Sequence, residues 1–259
     1  MLSRLSIISA VGLLATSLFA QGPGGRHSGG PRGDGDFSLM RAEFGMAGKV
    51  VPGAPYSAQA VTQFTQTLAS GDHIQRTMTA SIARDSQGRT RVDRSISGVG
   101  ALSAREGAQA RAIMIHDVVA GVSYALNPAT KTGTSMQIHA RPAGSEEARA
   151  RHSSPNAALK TEDLGTQVMQ GVTVTGKRVT RVIAAGQEGN EKEIDIVTET
   201  WFSADLQAVI QSKTSDPRFG ETVYQLSGLS RAEPDPALFA VPAGYSITEG
   251  RTRRSPAAQ

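Results

Sequence analysis

The sequence predicts a mainly β protein built on one antiparallel sheet, and three observations support this. The dominant period of the hydrophobic pattern is two, as in strands with one covered face. The alternating stretches are joined by short turns of Gly, Asp, Asn and Pro. A parallel crossover needs a dozen residues or more, so these connections require antiparallel neighbours. Helical patterning is confined to brief stretches at Ser38–Phe44, Ala101–Ala110, Ala157–Leu164 and Pro236–Phe239.

In chain order, Arg4 precedes "LSIISAVGLLATSLFA", which ends at Ala20 before "QGPGG". This is the charged, apolar and small-residue order of a secretory signal peptide, and the expected cut lies between Ala20 and Gln21. The run is short for a membrane span, which needs about 20 apolar residues. Residues 21–36 are Gly-rich and read as a flexible tether, and the "RGD" at 32–34 follows from that composition. Residues 250–259 read as a basic disordered tail. The chain has no cysteine, hence no lipobox, disulfide or thiolate metal site. The expectation is an exported protein, periplasmic or extracellular, that is not lipid-anchored.

The formal charge of +4 sits in the ends. Residues 1–36 carry +1 and residues 250–259 carry +3, which leaves 37–249 neutral. A nucleic-acid partner would need its positive charge on the fold, so that class is excluded. Contact with a membrane is expected to be peripheral at most, and no feature of the sequence fixes an oligomeric state.

Residues 37–249 read as a single antiparallel β domain. In "HIQRTMTASIAR" (73–84), Ile74, Met78, Ala80 and Ile82 share one face, with Arg76 the exception among them. "DSQG" turns the chain, and "RTRVDRSI" resumes the alternation, so 73–96 is a long hairpin. The pattern recurs in "RAIMIHD" (111–117) and in 121–138, where Val122, Tyr124 and Leu126 alternate. It returns in "GVTVTGKRVTRVI", "EIDIVTETWF", "QAVIQSK" and "ETVYQLSGLS". One face polar on nearly every strand predicts a sheet with one wet side. Residues 141–156 are polar and read as a loop within the domain.

"GVTVTGKR" (171–178) has the glycine and lysine spacing of a phosphate loop. That loop must open into a helix and place Ser or Thr after the lysine. Here Arg178 follows Lys177, and β-branched residues fill the interval, so the stretch reads as a strand: Gly171 begins it and Gly176 marks a bend or bulge. "GVSYA" (121–125) approaches a nucleophile elbow, but it runs into a turn rather than a helix, with Ser123 on the outward polar face. The histidines are scattered: His27 in the tether, His152 in the polar loop, and His73, His116 and His139 at strand ends. Only His116 and Asp117 adjoin, and neighbours do not share a metal easily. Asp205, Asp216 and Glu221 flank turns. No residue is assigned to catalysis, a cofactor or a metal, and the chain is expected not to be an enzyme.

"SDPRFGETVYQLSGLSRAEPDPALFAVPAGY" (215–245) resembles the ending of a group of uncharacterised exported bacterial proteins. The resemblance extends back through "EDLGTQVMQGVTVTGKRVTR" and "ETWFSADLQAVIQSK" to "GAPYSAQAV". "DPALFAVPAGY", after the "WFSADL" hairpin, is also similar to domains of the outer-membrane lipoprotein carriers (LolA/LolB-like). That resemblance implies one strongly curved antiparallel sheet, a half-barrel with few short helices and an apolar concave face. The function it implies is binding of an apolar or lipid-like ligand, or of a lipoprotein segment. The alternative is a structural or sensing module that takes a protein partner. Candidate residues for the ligand face or a core plug are Tyr124, Trp201, Tyr224, Leu238 and Phe239. In "DPALFAVP", Pro234 and Pro236 stop the preceding strand, and Leu238 and Phe239 are expected to close an open end of the sheet.

Overall fold

The computed structural model describes residues 50–96, 110–138 and 158–250. The chain divides between Gly33 and Asp34, and every described residue belongs to the second unit. Its strands are β1 (Tyr56–Thr67), β2 (His73–Arg84), β3 (Thr90–Ile96), β4 (Ala110–Asp117), β5 (Val122–Asn127) and β6 (Thr132–Gln137). They continue as β7 (Ala158–Met169), β8 (Val172–Ile183), β9 (Ile194–Ser203), β10 (Ala208–Asp216), β11 (Gly220–Ser230) and β12 (Ser246–Glu249). One turn of 3₁₀ helix, Pro236–Phe239, precedes β12.

The strands form one sheet in the order β12-β6-β5-β4-β3-β2-β1-β11-β10-β9-β8-β7. It is open, with β12 and β7 as its edges, in the manner of a curved half-barrel. Every pairing is antiparallel except β12 with β6, which the returning C-terminal segment makes parallel. The hairpin read at 73–96 is β2 and β3, joined by the turn in which buried Asp85 accepts from the amides of Gln87 and Arg89.

The helix expected at Ala157–Leu164 is overturned: β7 begins at Ala158 and pairs with β8 from Ala158↔Val182 to Met169↔Val172. Ala, Leu, Lys and Glu favour helix locally, but propensity yields where a neighbouring strand offers a full ladder. The helices expected at 38–44 and 101–110 fall outside the described residues, save Ala110, which opens β4; the loop at 141–156 and His139 also fall outside.

"GVTVTGKR" is the start of β8. Gln170 (φ 49°) and Gly171 (φ 76°) make the two-residue turn from β7, in which both residues must take positive φ. The bulge is not at Gly176 but opposite it, between Asp163 and Gly165 of β7. Gly176 lies beneath Trp201 instead.

Register assigns each side chain to a face. Tyr224 shares its face with Thr62, Ser212, Ile82, Val92 and Met114. The main core joins Tyr56, Ala58, Ala60, Ala80, Ile82, Leu206, Ile210, Tyr224 and Leu226 with Val172 and Val174. Arg84 fastens the β9–β10 turn to the start of β1. Its Nε donates to the Ala54 carbonyl at 2.9 Å, its Nη2 donates to the Leu206 carbonyl, and its guanidinium lies 4.7 Å from the Tyr56 ring centre.

The opposite face is not simply wet. On β4 and β5 it carries a second cluster, Ile113, Ile115 and Leu126, against which Tyr124, Val241 and Tyr245 pack. The C-terminal segment covers it, because Arg91 on that face donates to the Leu238 carbonyl at 2.9 Å.

Candidate functional site

The Tyr224 face is filled at one end and half open at the other. Along β1, Tyr56, Ala58, Ala60 and Thr62 are buried, whereas Phe64 and Gln66 are half-buried. Along β2, Arg84, Ile82 and Ala80 are buried, Met78 and Ile74 are half-buried, and Arg76 is exposed. The same gradient runs across the next strands, from buried Tyr224 and Ser212 to half-buried Thr222, Thr214 and Thr198. The half-open end therefore presents Phe64, Met78 and Ile74 beside a row of threonines, two of which, Thr198 and Thr214, lie 3.3 Å apart through their hydroxyls. At the margin of the filled end, Ser212 is 1% exposed and its hydroxyl has no hydrogen-bond partner among the described residues.

The sequence-derived residues do not converge on one place. Tyr224 is in the main core and Trp201 packs against it. Tyr124 belongs to the second cluster, on the other face. Phe239 is buried to 3% exposure under the Arg89 guanidinium, 5.2 Å from its ring centre, and Leu238 is 38% exposed. Asp235 caps their helical turn by accepting from the Ala237 amide at 2.9 Å. Because that turn sits on the Arg91 side, Phe239 closes the face opposite Tyr224. In the sequence Ile74 and Met78 read only as one face of a strand, and Phe64 is not singled out; the signal that could have marked the place is Arg76, the break in the β2 alternation.

The Ser123 hydroxyl lies 2.8 Å from His116 Nδ1. Register puts Ser123 on the Tyr224 face, half-buried, rather than on the outward polar face expected for it. Burial pushes the His116 ring below its usual value, against the opposing pull of Asp117. The Asp117 carboxylate is held by the amides of Val119 and Ala120 in the following turn. The pair is a cross-strand hydrogen bond between β4 and β5; among the described residues, none of the carboxylates is hydrogen-bonded to the imidazole. Among the described residues, no three His, Asp or Glu side chains are grouped to hold a metal, and no helix is long and apolar enough to cross a membrane. At the half-open end, burial alone would raise the Asp216 carboxyl, but Arg218 hydrogen-bonds it and holds it below its usual value.

No family model matches the chain, and no curated protein matches it. Among solved structures, an uncharacterised conserved protein from Thermus thermophilus is similar, with 10% identity and a TM-score of 0.41 over 84% of this chain and 99% of that one. The MucA/MucB complex of Pseudomonas aeruginosa gives 12% identity and a TM-score of 0.41 over 85% of this chain and 66% of that one, about two thirds of its length. A LolA superfamily protein from Nitrosomonas europaea gives 8% identity and a TM-score of 0.32 over 79% of this chain and 96% of that one. The similar structures thus include an uncharacterised conserved protein and a LolA superfamily protein. At these values the likeness assigns neither ligand nor activity.

Proposed function

We propose that this chain is an exported, non-enzymatic binding module of the cell envelope that holds an apolar or lipid-like ligand, or the acylated segment of a lipoprotein, against the Tyr224 face. The observation that carries this reading is the burial gradient along β1 and β2, which leaves Phe64, Met78 and Ile74 half-covered beside a filled core. Export rests on the signal-peptide order at residues 1–20. The magnitudes are adequate: burying about ten methylenes contributes about 8 kcal/mol at about 0.8 kcal/mol each. That gross figure corresponds to a Kd of about 1 μM before the cost of immobilising the chain. Native mass spectrometry of the full protein, purified from cells that export it, tests the reading. A lipid-sized added mass that organic extraction removes is expected, and a bare polypeptide mass from every preparation would contradict it.

A protein partner is the second reading, and the edge strand β7 favours it. Among the described residues, its twelve residues have a partner strand on one side only, with Leu159 and Val168 exposed at 64% and 72%. A long exposed edge is the surface on which an extended peptide adds a strand.

A further inference from the structure

Register also sorts the charges. On the face opposite Tyr224, cations and anions meet across the strands. Arg111 holds Asp93 through two hydrogen bonds of 2.6 Å. Arg178 bridges Glu162 at 2.7 Å and Glu199 at 2.8 Å, and Lys213 pairs with Glu221 at 2.7 Å. The Tyr224 face is different. On β1–β6, β10 and β11 its basic residues are Arg76, Arg84 and Arg94, and its acidic one is Asp216. That acid is already engaged by Arg218 at 2.8 Å.

The half-open end of the face contains one of these cations among its apolar groups. Arg76 stands between Ile74 and Met78 on β2 and directly across from Phe64 on β1. The β1 residues diagonal to it are Thr62 and Gln66, so no acidic side chain of the paired strand lies beside it. A neutral hydrocarbon laid over this surface would strip water from the guanidinium and return nothing for it. A ligand with a negative head replaces that water with a charge-assisted, forked hydrogen bond.

We propose that the ligand of the Tyr224 face is an anionic amphiphile, with its hydrocarbon on Phe64, Met78 and Ile74 and its carboxylate or phosphate head on Arg76. This inference rests on the reading of that face as a site for an apolar ligand. Arg76 would then act in selection as well as in affinity, because an uncharged lipid leaves it desolvated and unpaired.

Calorimetric titration of the full protein with palmitate, hexadecyl phosphate and hexadecanol tests the inference. Palmitate or hexadecyl phosphate is expected to bind about three- to tenfold more tightly than hexadecanol, the range for one partly exposed charge-assisted contact. The order of the two anions tells carboxylate from phosphate. Arg76→Gln is expected to remove the preference by weakening the anions, with hexadecanol bound at least as tightly as before and the urea midpoint unchanged, and Arg76→Lys to keep part of it. Equal binding of hexadecanol and the anions by the native protein would overturn the inference, as would equal weakening of all three by Arg76→Gln; in both cases the apolar reading would survive. Failure of all three to bind would overturn the apolar reading and this inference with it.

Discussion

Trp201 lies directly over Gly176 on the neighbouring strand: a Cβ added at Gly176 would stand 2.5–2.7 Å from three carbons of the indole. The glycine that mimics a phosphate loop is there because the ring occupies the space a side chain would need. Gly176→Ala is therefore expected to destabilise the protein by about 1–3 kcal/mol, the usual cost of overpacking. Trp201 is the only tryptophan in the chain, so its emission should shift in the same variant. An unchanged urea midpoint with unchanged emission would contradict this packing.

Phe239 and Leu238 are neighbours with opposite fates. Phe239→Ala is expected to cost about 3–5 kcal/mol, because a buried ring is lost and a cavity remains. Leu238 is 38% exposed, and its replacement by alanine should change stability by no more than about 0.5 kcal/mol. Urea unfolding of the two variants measures both. Similar losses in the two would contradict the placement of the helical turn on the Arg91 face.

Ser212 buries a hydroxyl that finds no partner among the described residues. Removing an unmatched polar atom relieves its desolvation cost, which is about 1–3 kcal/mol. Ser212→Ala is thus expected to leave stability unchanged or to raise it. A loss of more than about 1 kcal/mol in urea unfolding would show that the hydroxyl has a partner.

His116 links stability to pH. Burial lowers its folded-state value from the ordinary 6.5, so the unfolded chain holds the proton more tightly. The contribution is complete above about pH 6.5 and is lost as pH falls through the lower, folded value. The urea midpoint should fall between about pH 7 and pH 5, and His116→Gln should flatten that fall. An equally steep fall in the variant would assign the effect to other groups.

The sheet itself was legible in the sequence because alternation is a local signal. Ile74, Met78, Ala80 and Ile82 announce β2, and the Asp85–Gly88 turn announces its return. Three features were not legible, for physical reasons. At 158–164 the local composition favours helix, and only the ladder with β8 settles the matter. The parallel pairing of β12 depends on how far the chain travels after Phe239, which no short-range pattern encodes. β8 buries Val172 and Val174 near its start but Ile183, on the other face, at its end, so no single alternation describes it. The candidate site was legible only in part. Tyr224 and Trp201 do lie together at the core, whereas Tyr124 and Phe239 pack on the far side. The segregation of charge between the faces emerges only once the cross-strand register is known.

On the proposed reading the Tyr224 face, and not the opposite one, meets the ligand. Phe64 and Thr65 are adjacent in β1 and point to opposite faces, toward the partners Thr222 and Glu221 respectively. The direct test places a photoreactive benzoylphenylalanine at position 64 or at position 65, in protein made by cells that export it, followed by irradiation and intact-mass measurement. The expected result is a lipid-sized adduct at position 64 and none at position 65. No adduct at 64, or equal adducts at both positions, would contradict binding on the Tyr224 face.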